Sequence, residues 1–557
     1  MYIRVVLAVA AMAVAAPGSA QTPVRQTSPH NVVIFVADGL RSRVVNDVTA
    51  PNFAALARQG VTLVNSHSLF PTFTMANASA IATGHYLGDT GVFSNTLYVA
   101  HPMSNAAGSP TAFIENDAVL GDLDAHFAGN FLNEDTILKL ARDKGYSTAA
   151  VGKHGPTLLF DHTERTGLQT IIVDDITGTA QGIPLSAEMG ERLKAAGLAM
   201  ATPPRGANGI AGNVTTPGTK SANVVQQDYF AAVATRAVLP LFATRGKPFL
   251  LVFWSRDPDG TQHNQGDSFL TLRPGINGQA ALAAIRNADD DLGRIRAALA
   301  ELGLAEATDI IVTADHGFAT ISKESITSPA AQARHPDAPA GHLPRGFLAF
   351  DLAKMLGMPL IDPDNNFALV RDGAHSRNGN GLIGGEKDHP KLVVAANSGS
   401  DLIYIPDGDK ALASQVVAAL LTQDYVSGIF VDERIGRFPG ALSLPTSIST
   451  VPLGRQGQPW SSIFARSIQS AVNRYAVPSS LPMQRSSKVR ARTAPSAALK
   501  PGTSWRSPVP ISNRGSSIPR PPATPMSAAL SRRSWAWISP TRVRLSAVSC
   551  ARPCPAA

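Results

Sequence analysis

Cysteine is missing from the first 549 residues of this 557-residue chain, because Cys550 and Cys554 both lie near its C-terminus. Disulfides therefore cannot stabilise the body of the protein. After residue 20 no apolar run approaches the roughly 18 residues of a membrane-spanning helix, which excludes a membrane-spanning enzyme. The sequence also lacks internal repeats, a Walker-type loop and a dinucleotide-binding glycine fingerprint.

Acidic residues are missing from residues 445–557. This stretch holds 16 of the 49 Lys and Arg residues and none of the 41 Asp and Glu residues, so residues 1–444 carry 33 basic and 41 acidic side chains, a net charge of −8. It also holds 16 of the 41 prolines and four of the five tryptophans. Two different compositions are joined here, and the overall charge of +8 describes neither.

The N-terminus has the pattern of a secretory signal peptide. Arg4 precedes a short apolar run at residues 5–16, and small residues follow up to Ala20. The alternative is a buried N-terminal helix, which the Pro17-Gly18 pair disfavours. We expect a signal peptide at residues 1–20 cleaved near Ala20, a linker at 21–30, and a secreted or periplasmic protein.

Buried strands alternate with helices along the next part of the chain. The apolar run at residues 31–36 is typical of a strand covered on both faces, and similar runs occur at 248–254, 309–313, 391–396 and 401–405. Residues 50–59 and 278–304 predict helices. This order predicts an α/β sandwich with a mostly parallel sheet. Residues 103–130 and 165–225 are rich in small and polar residues and predict loops or a small cap.

Carboxylates and imidazoles follow three of the predicted strands. Asp38 follows the first, Asp259 and His263 follow the run at 248–254, and Asp315 and His316 follow the run at 309–313. Parallel sheets bind ligands at the carboxyl ends of their strands. Each residue alone could belong to a turn or to the core, but together they favour a site for zinc or a similar divalent ion.

A nucleophile is available in the small-residue segment at residues 70–84. Thr74 lies where this segment could begin a helix. A hydroxyl at a helix N-terminus beside cations would be stabilised as an alkoxide, and the same N-terminus binds phosphoryl groups. The alternative is that Thr74 is an ordinary N-cap.

These motifs occur in an order that resembles the alkaline phosphatase superfamily, and most of all its type I phosphodiesterase/nucleotide pyrophosphatase branch. The resemblance covers about residues 31–444, the expected catalytic domain. It is carried by Val33-Ile-Phe-Val-Ala-Asp38-Gly39, the Thr74 segment closed by Thr83-Gly84, Thr90-Gly91-Val92, Pro258-Asp259 with His263, and Thr313-Ala-Asp315-His316-Gly317.

The resemblance implies two divalent metal ions, with zinc the expected metal. Thr74, ten residues before Gly84, would be the nucleophile that attacks phosphorus in line. Asn77 would contact a phosphoryl oxygen. The ligands of one ion would be Asp38, Asp315, His316 and Thr74, and those of the other Asp259 and His263.

One departure from the branch leaves its nucleotide preference open, and another segment resembles a related family. Met-Ala-Asn-Ala follows Thr74 where the branch usually has Phe-Pro-Asn-His. Lys153 lies in a Gly-Lys-His-Gly segment that resembles a lysine motif of the related sulfatases, whose nucleophile box is absent. We expect Lys153 to contact the transferred group; the alternative is a surface lysine.

The sequence therefore predicts an exported two-metal hydrolase of phosphate esters that acts on a small-molecule diester or nucleotide, without a specific nucleic-acid partner. The alternatives are a sulfatase or phosphomonoesterase of the same superfamily, or a non-catalytic protein that binds phosphate or nucleotides. Two protein ligands are one fewer than a catalytic zinc normally has. The resemblance implies a further histidine in a Gly-x-His-Gly setting near the C-terminus, and His335, His342, His375 and His389 all lack that setting.

The sequence of residues 445–557 suggests where this histidine lies. When residues 486–500 are back-translated and each codon is read one base early, permitted codons give a Gly-Thr-His-Gly segment. We therefore predict a frameshift near residues 444–446, so that residues 445–557 are an aberrant, disordered tail and this chain has impaired activity. The alternative is a natural basic tail that binds polyanions.

Overall fold

The computed structural model describes residues 30–371 and 373–444 and the backbone of two short strands further on. The strands are β1 (Asn31–Ala37), β2 (Val61–Thr62), β3 (Thr96–Tyr98), β4 (Thr111–Phe113), β5 (Ser147–Gly152), β6 (Thr170–Asp174), β7 (Phe249–Ser255), β8 (Thr308–Thr313), β9 (Leu360–Asp362), β10 (Ala368–Leu369), β11 (Gly381–Glu386), β12 (His389–Ala395), β13 (Asp401–Ile405), β14 (Val426–Asp432), β15 (Leu442–Leu444), β16 (Ser461–Ser467) and β17 (Ala536–Ile538). The helices are α1 (Pro51–Gln59), α2 (Thr74–Thr83), α3 (Leu87–Thr90), α4 (Asp117–His126), α5 (Ile137–Asp143), α6 (Pro156–Leu159), α7 (Ala187–Ala195), α8 (Val224–Ala232), α9 (Leu239–Arg245), α10 (Asp259–Asn264), α11 (Gln279–Glu301), α12 (Pro329–Gln332), α13 (Phe347–Leu356) and α14 (Lys410–Leu421).

The central sheet has the strand order β2-β17-β8-β1-β7-β5-β6, and β8, β1, β7, β5 and β6 run parallel. β1 is apolar along nearly its whole length because both of its faces are covered. Val33 and Phe35 pack into the core on one side of the sheet, whereas Ile34 and Val36 pack into the core on the other. The predicted α/β fold with a mostly parallel central sheet is confirmed.

A second sheet has the order β10-β9-β11-β12-β13-β16-β14-β15 and is largely antiparallel. α13 and α14 contribute to its core. The strands predicted at residues 391–396 and 401–405 are confirmed as β12 and β13, but they belong to this sheet. β16 lies between β13 and β14 and is antiparallel to both, so one strand of this sheet comes from the basic C-terminal stretch.

The expectation of loops or a cap at residues 103–130 and 165–225 is wrong in part. Residues 170–174 form β6, a fully buried strand of the central sheet, and α4, β4 and α7 also lie in these ranges. The apolar core of β6 is only Ile171-Ile172-Val173, too short to stand out among its small and polar neighbours. Residues 196–223 are mainly irregular and lie against α10, where the Thr261 hydroxyl accepts a hydrogen bond from Asn208 Nδ2 at 2.8 Å.

No helix among the described residues is long and apolar enough to cross a membrane. The predicted signal peptide and nearly all of the predicted linker lie outside the described residues. So does the C-terminal stretch from residue 445 onward, apart from β16 and β17.

Candidate active site

Four neighbouring strands bring the predicted site residues to one edge of the central sheet. β8, β1, β7 and β5 are adjacent and parallel, so their carboxyl ends lie side by side. Asp315 and His316 follow β8, Asp38 follows β1, Asp259 begins α10 after β7, and Lys153 follows β5. Their meeting is therefore a direct result of the sheet topology.

Two glycines allow these chain segments to approach closely. Gly39 has φ +66°, and a Cβ atom there would lie 3.0 Å from Cβ of Asp259. Gly152 has φ +137°, and a Cβ atom there would lie 2.0 Å from the carbonyl oxygen of Trp254. Any other residue at these positions would push Asp38 away from Asp259, or Lys153 away from β7.

Asp38, Asp315 and His316 form a group that fits one metal ion. Each offers one ligand atom, and the three atoms lie within 4.8 Å of one another. Oδ1 of Asp38 and Oδ2 of Asp315 are buried without a hydrogen-bond donor. Nε2 of His316 lies 3.6 Å and 3.4 Å from these oxygens. Two unsatisfied buried carboxylate oxygens beside an imidazole are a donor set that a divalent ion satisfies.

The other oxygen of each carboxylate is held by the protein. Oδ2 of Asp38 accepts hydrogen bonds from Trp254 Nε1 at 2.9 Å and from Lys153 Nζ at 2.8 Å. Oδ1 of Asp315 accepts one from the Gly39 amide at 3.1 Å. Each carboxylate is thus oriented through one oxygen and leaves the other for a ligand.

Burial and the closeness of the three side chains shift the pKa values of Asp315 and His316. Burial and the neighbouring Asp38 raise the pKa of Asp315 to about 7. Burial opposes the charged form of His316, but Asp315 and Asp38 together raise its pKa to about 9. Two buried carboxylates and an imidazole are thus crowded together, as expected where a cation binds.

Asp259 and His263, the residues predicted for the second ion, lie on α10. His263 Nε2 is 3.3 Å from Asp259 Oδ1, which is buried without a hydrogen bond. The His263 side chain is 62% exposed, against 11% for His316. Burial favours the neutral form of Asp259, but His263 and Lys153 hold its pKa below the usual range.

No third carboxylate or histidine joins this pair among the residues that the structure describes. The four histidines that lack the Gly-x-His-Gly setting do not complete it. His335 Nε2 lies 3.0 Å from the Ala330 carbonyl, and His375 Nε2 lies 2.9 Å from Asp337. His342 Nδ1 is 3.3 Å from a backbone carbonyl, and His389 is an exposed residue of β12.

Lys153 lies between the group of Asp38, Asp315 and His316 and the pair of Asp259 and His263. Its Nζ is 2.8 Å from Asp38 Oδ2, 3.0 Å from Glu115 Oε1 and 3.4 Å from Asp259 Oδ2. Burial disfavours the ammonium, but these three carboxylates hold the pKa of Lys153 well above its ordinary value. The side chain is only 2% exposed, so the surface-lysine alternative is excluded.

Thr74 lies beside the group of Asp38, Asp315 and His316. α2 begins at Thr74 and its N-cap is Phe73, so Thr74 is the first helical residue and the N-cap alternative is excluded. Thr74 Oγ1 is 3.2 Å from His316 Nε2. This arrangement brings a hydroxyl to a helix N-terminus and to the edge of the metal-binding group.

Asn77 lies on the same helix, but its carboxamide faces the preceding loop. Its Oδ1 accepts a hydrogen bond from the Leu69 amide at 2.8 Å, and its Nδ2 lies 3.2 Å from the carbonyls of Leu69 and Phe73. The structure therefore brings Thr74, but not the Asn77 carboxamide, to the group of Asp38, Asp315 and His316.

The sequence analysis did not identify two polar residues that lie next to the site. Asn95 accepts a hydrogen bond from the Met75 amide at 2.9 Å and donates one to Glu115 at 3.3 Å. Asn95 closely follows the Thr90-Gly91-Val92 motif, which could have drawn attention to it. Glu115 lies in an irregular segment with no periodicity, and only its contact with Lys153 identifies it.

Carboxylates and a histidine that could hold a divalent ion, beside a threonine hydroxyl, provide the groups that metal-assisted hydrolysis requires. The family model described as type I phosphodiesterase / nucleotide pyrophosphatase matches residues 32–360, more than half of the chain. The protein belongs to this family, which confirms the resemblance seen in the sequence.

The human ectonucleotide pyrophosphatase/phosphodiesterase family member 7 is 23% identical over 324 residues, which cover 58% of this chain. The match covers 55% of that relative, so the chain spans about half of its length. A solved structure, the crystal structure of Ps i-CgsB in complex with k-i-k-neocarrahexaose, is 16% identical with a TM-score of 0.30 and covers 52% of this chain and 58% of that one.

Proposed function

We propose that this protein is an exported hydrolase of phosphodiesters or nucleotides that uses Thr74 as nucleophile and binds two divalent ions, with zinc the expected metal. Family membership supports a phosphate-ester hydrolase. The observation that carries the proposal further is the position of Thr74 Oγ1, 3.2 Å from His316 and at the first residue of α2. The family's metal dependence fits the group of Asp38, Asp315 and His316.

Different residues of this chain perform different parts of the proposed phosphoryl transfer. Thr74 attacks phosphorus in line, and the N-terminus of α2 stabilises negative charge at its oxygen. Divalent ions bound here would lower the pKa of the threonine hydroxyl and neutralise charge on the phosphoryl and leaving oxygens. Lys153 remains charged, orients Asp38 and Asp259, and contributes positive charge to the same edge. Water then releases the phosphoryl group from Thr74.

Export and domain organisation belong to the same proposal. We take residues 1–20 as a signal peptide, residues 31–444 as the catalytic domain and residues 445–557 as a tail translated out of frame. The name of the human relative, an ectonucleotide pyrophosphatase/phosphodiesterase, supports export. A substrate that is a small phosphate ester or nucleotide follows from the family.

A non-catalytic phosphate-binding protein is the second candidate. The specific observation in its favour is that the position at Asp259 and His263 has two protein ligands among the described residues. Such a protein would bind anions at the same edge without completing the reaction.

Kinetics on the full chain separate these candidates. The zinc-loaded protein is assayed with bis(p-nitrophenyl) phosphate, p-nitrophenyl phosphate and p-nitrophenyl sulfate, and its metal content is measured. The proposal expects the highest kcat/KM on the diester and loss of turnover in Thr74→Ala. A preference for the monoester or the sulfate would favour the other members of the superfamily. Phosphate binding without turnover would favour the non-catalytic protein.

A further inference from the structure

The side chain of His263 is exposed and lies near the end of a short helix. His263 belongs to α10, which ends at Asn264, and its side chain is 62% exposed. Its Nε2 lies 3.3 Å from Asp259 Oδ1, on the same helix. An exposed side chain at a helix end can adopt several rotamers, whereas a metal ligand must keep one of them. A contact from outside α10 would select that rotamer.

Phe318 supplies such a contact. The centroids of the Phe318 and His263 rings are 4.8 Å apart, and the ring planes meet at 82°. This is the T-shaped geometry in which the edge of one aromatic ring meets the face of the other. The Phe318 side chain is itself half-buried. Because the geometry is directional, the contact favours one orientation of the imidazole over the others.

The segment that carries Phe318 is anchored on both sides. Three residues before it, Asp315 Oδ1 accepts a hydrogen bond from the Gly39 amide at 3.1 Å. Two residues after it, the Thr320 hydroxyl accepts one from the Ile276 amide at 3.1 Å. The Phe318 ring is therefore carried by backbone that the surrounding fold holds in place.

Helix α10 is fixed to the body of the protein as well. The Thr261 hydroxyl donates to Asp257 Oδ1 at 2.6 Å, and Asn287 Nδ2 from α11 donates to Asp257 Oδ2 at 2.9 Å. The backbone at His263 is thus set by the fold, and the freedom that remains is that of the side-chain dihedral angles. The contact with Phe318 acts on these angles.

The contact also connects the two sets of expected metal ligands. Phe318 comes two residues after His316, in the segment that follows β8, whereas His263 lies on α10, which follows β7. A side chain from the segment that carries one set of ligands therefore orients a ligand of the other set.

We propose that Phe318 is a positioning residue that holds the His263 imidazole beside Asp259 and so prepares this pair to bind its divalent ion. The proposal rests on the function proposed above, because it takes Asp259 and His263 as ligands. No third carboxylate or histidine joins the pair in the described part of the chain, so the orientation of His263 matters more than in a site with three protein ligands.

Zinc titrations of the full chain test this role. The first, tighter ion is loaded, and the second is titrated calorimetrically into the wild-type, Phe318→Leu and Phe318→Tyr proteins. Phe318→Leu should weaken binding of the second ion about 3- to 10-fold, the effect of losing one aromatic contact, and leave the first ion unchanged. Phe318→Tyr keeps the ring and should bind the second ion within about twofold of the wild type. Phe438→Leu is the matched control, since it removes a half-buried ring that packs in the core of the second sheet.

Three results of these titrations would overturn the proposal. Equal affinity for the second ion in Phe318→Leu and the wild type would show that the ring does not prepare the pair. Equal losses in Phe318→Leu and Phe318→Tyr would show that the aromatic contact is not the cause. Loss of diester turnover in Phe318→Leu with unchanged zinc binding would place the ring against the substrate instead.

A spectroscopic measurement makes the test independent of turnover and of metal. The metal-free full chain is labelled with ¹³C at histidine Cε1, and the His263 signal is identified by its loss in His263→Asn. In Phe318→Leu this signal should shift towards that of an exposed histidine, because the ring current of Phe318 is lost. If the wild-type protein takes up one zinc ion only, the proposed two-ion function fails, and this signal alone decides the role of Phe318. An unchanged His263 signal in Phe318→Leu would then overturn it.

Discussion

The two proposed metal positions, the first at Asp38, Asp315 and His316 and the second at Asp259 and His263, are built in different ways. Asp38 and Asp315 follow adjacent strands in the middle of the sheet, and their free oxygens lie with His316 in one group. Asp259 and His263 come from a single short helix, and the His263 side chain is mainly exposed. Ligands carried by neighbouring strands are fixed by the core, whereas ligands from one helical turn need a further residue to close their site.

Lys153 connects the two positions and differs from both. Its ammonium contacts Asp38 from the first position and Asp259 from the second, together with Glu115. It therefore compensates the carboxylates on the side where the second set of ligands is incomplete. The comparison predicts that the first position dominates metal binding and that the second is weak in this chain.

The largest effect is expected from Thr74, the proposed nucleophile, which lies beside the first position. Thr74→Ala should lower kcat/KM by about 10³-fold or more, because no other group supplies the attacking oxygen. Alanine is compatible with the first turn of α2, so the fold should be kept. Steady-state kinetics on the diester measure the change, and Thr74→Ser should recover part of the activity.

Thr83→Ala is the control for this change. Thr83 lies at the other end of α2, and its hydroxyl donates to the Ser79 carbonyl at 2.7 Å. The kcat/KM of Thr83→Ala should stay within about threefold of the wild-type value, because most substitutions away from a site have small effects. Full activity in Thr74→Ala would place the nucleophile elsewhere.

Ligand substitutions rank the two positions directly. Asp315→Asn should remove the tightly held ion and lower kcat/KM about 10²- to 10³-fold. His263→Asn should cost only about 10-fold, because its site is already incomplete. Zinc per chain, measured by mass spectrometry beside the kinetics, checks both results. His342→Asn, an exposed histidine outside the site, is the control. A larger loss in His263→Asn would reverse the ranking.

Much of the first position could be predicted from the sequence. β1, β7 and β8 are continuous apolar runs that end in Asp or His, and α2 begins at Thr74. These signals are local, because each strand and its terminal residue are neighbours in the chain. Parallel pairing then brings the strand ends together without further information.

Other parts could not be predicted because their partners are distant in the chain. Glu115 lies on an irregular segment, where no periodicity marks it. β16 inserts between β13 and β14, which are separated from each other by α14, and only the pairing shows this order. β6 was missed because its apolar core is three residues long.

Because we propose that residues 445–557 are out of frame, restoring the frame should close the second position. A compensating one-base change near codons 444–446 is expected to supply the C-terminal histidine, to raise tightly bound zinc from one ion per chain to two, and to increase kcat/KM roughly 10- to 100-fold. Metal analysis and kinetics on the two proteins measure this. Sequencing of the native gene through codons 435–500 with no base gained or lost would contradict the frameshift and favour a natural basic tail.

The smallest effect is one of stability, and it should have opposite signs at the two positions. Burial and Asp38 raise the pKa of Asp315 to about 7, so its charged form destabilises the metal-free protein above that pH. At pH 8 Asp315→Asn should raise the Tm of the metal-free protein by roughly 2–4 °C, and the gain should shrink below pH 6, where the wild-type carboxyl takes up its proton.

Asp259 is the opposite case, and it completes the comparison. Burial opposes its charge, but His263 and Lys153 hold its pKa below the usual range, so its charged form stabilises the fold. Asp259→Asn should therefore lower the Tm of the metal-free protein at pH 8 by roughly 2–4 °C. Scanning calorimetry after chelation measures both variants. If both substitutions shifted the Tm in the same direction, the proposed difference would be wrong. The carboxylates would then not be repulsive at the first position and charge-compensated at the second.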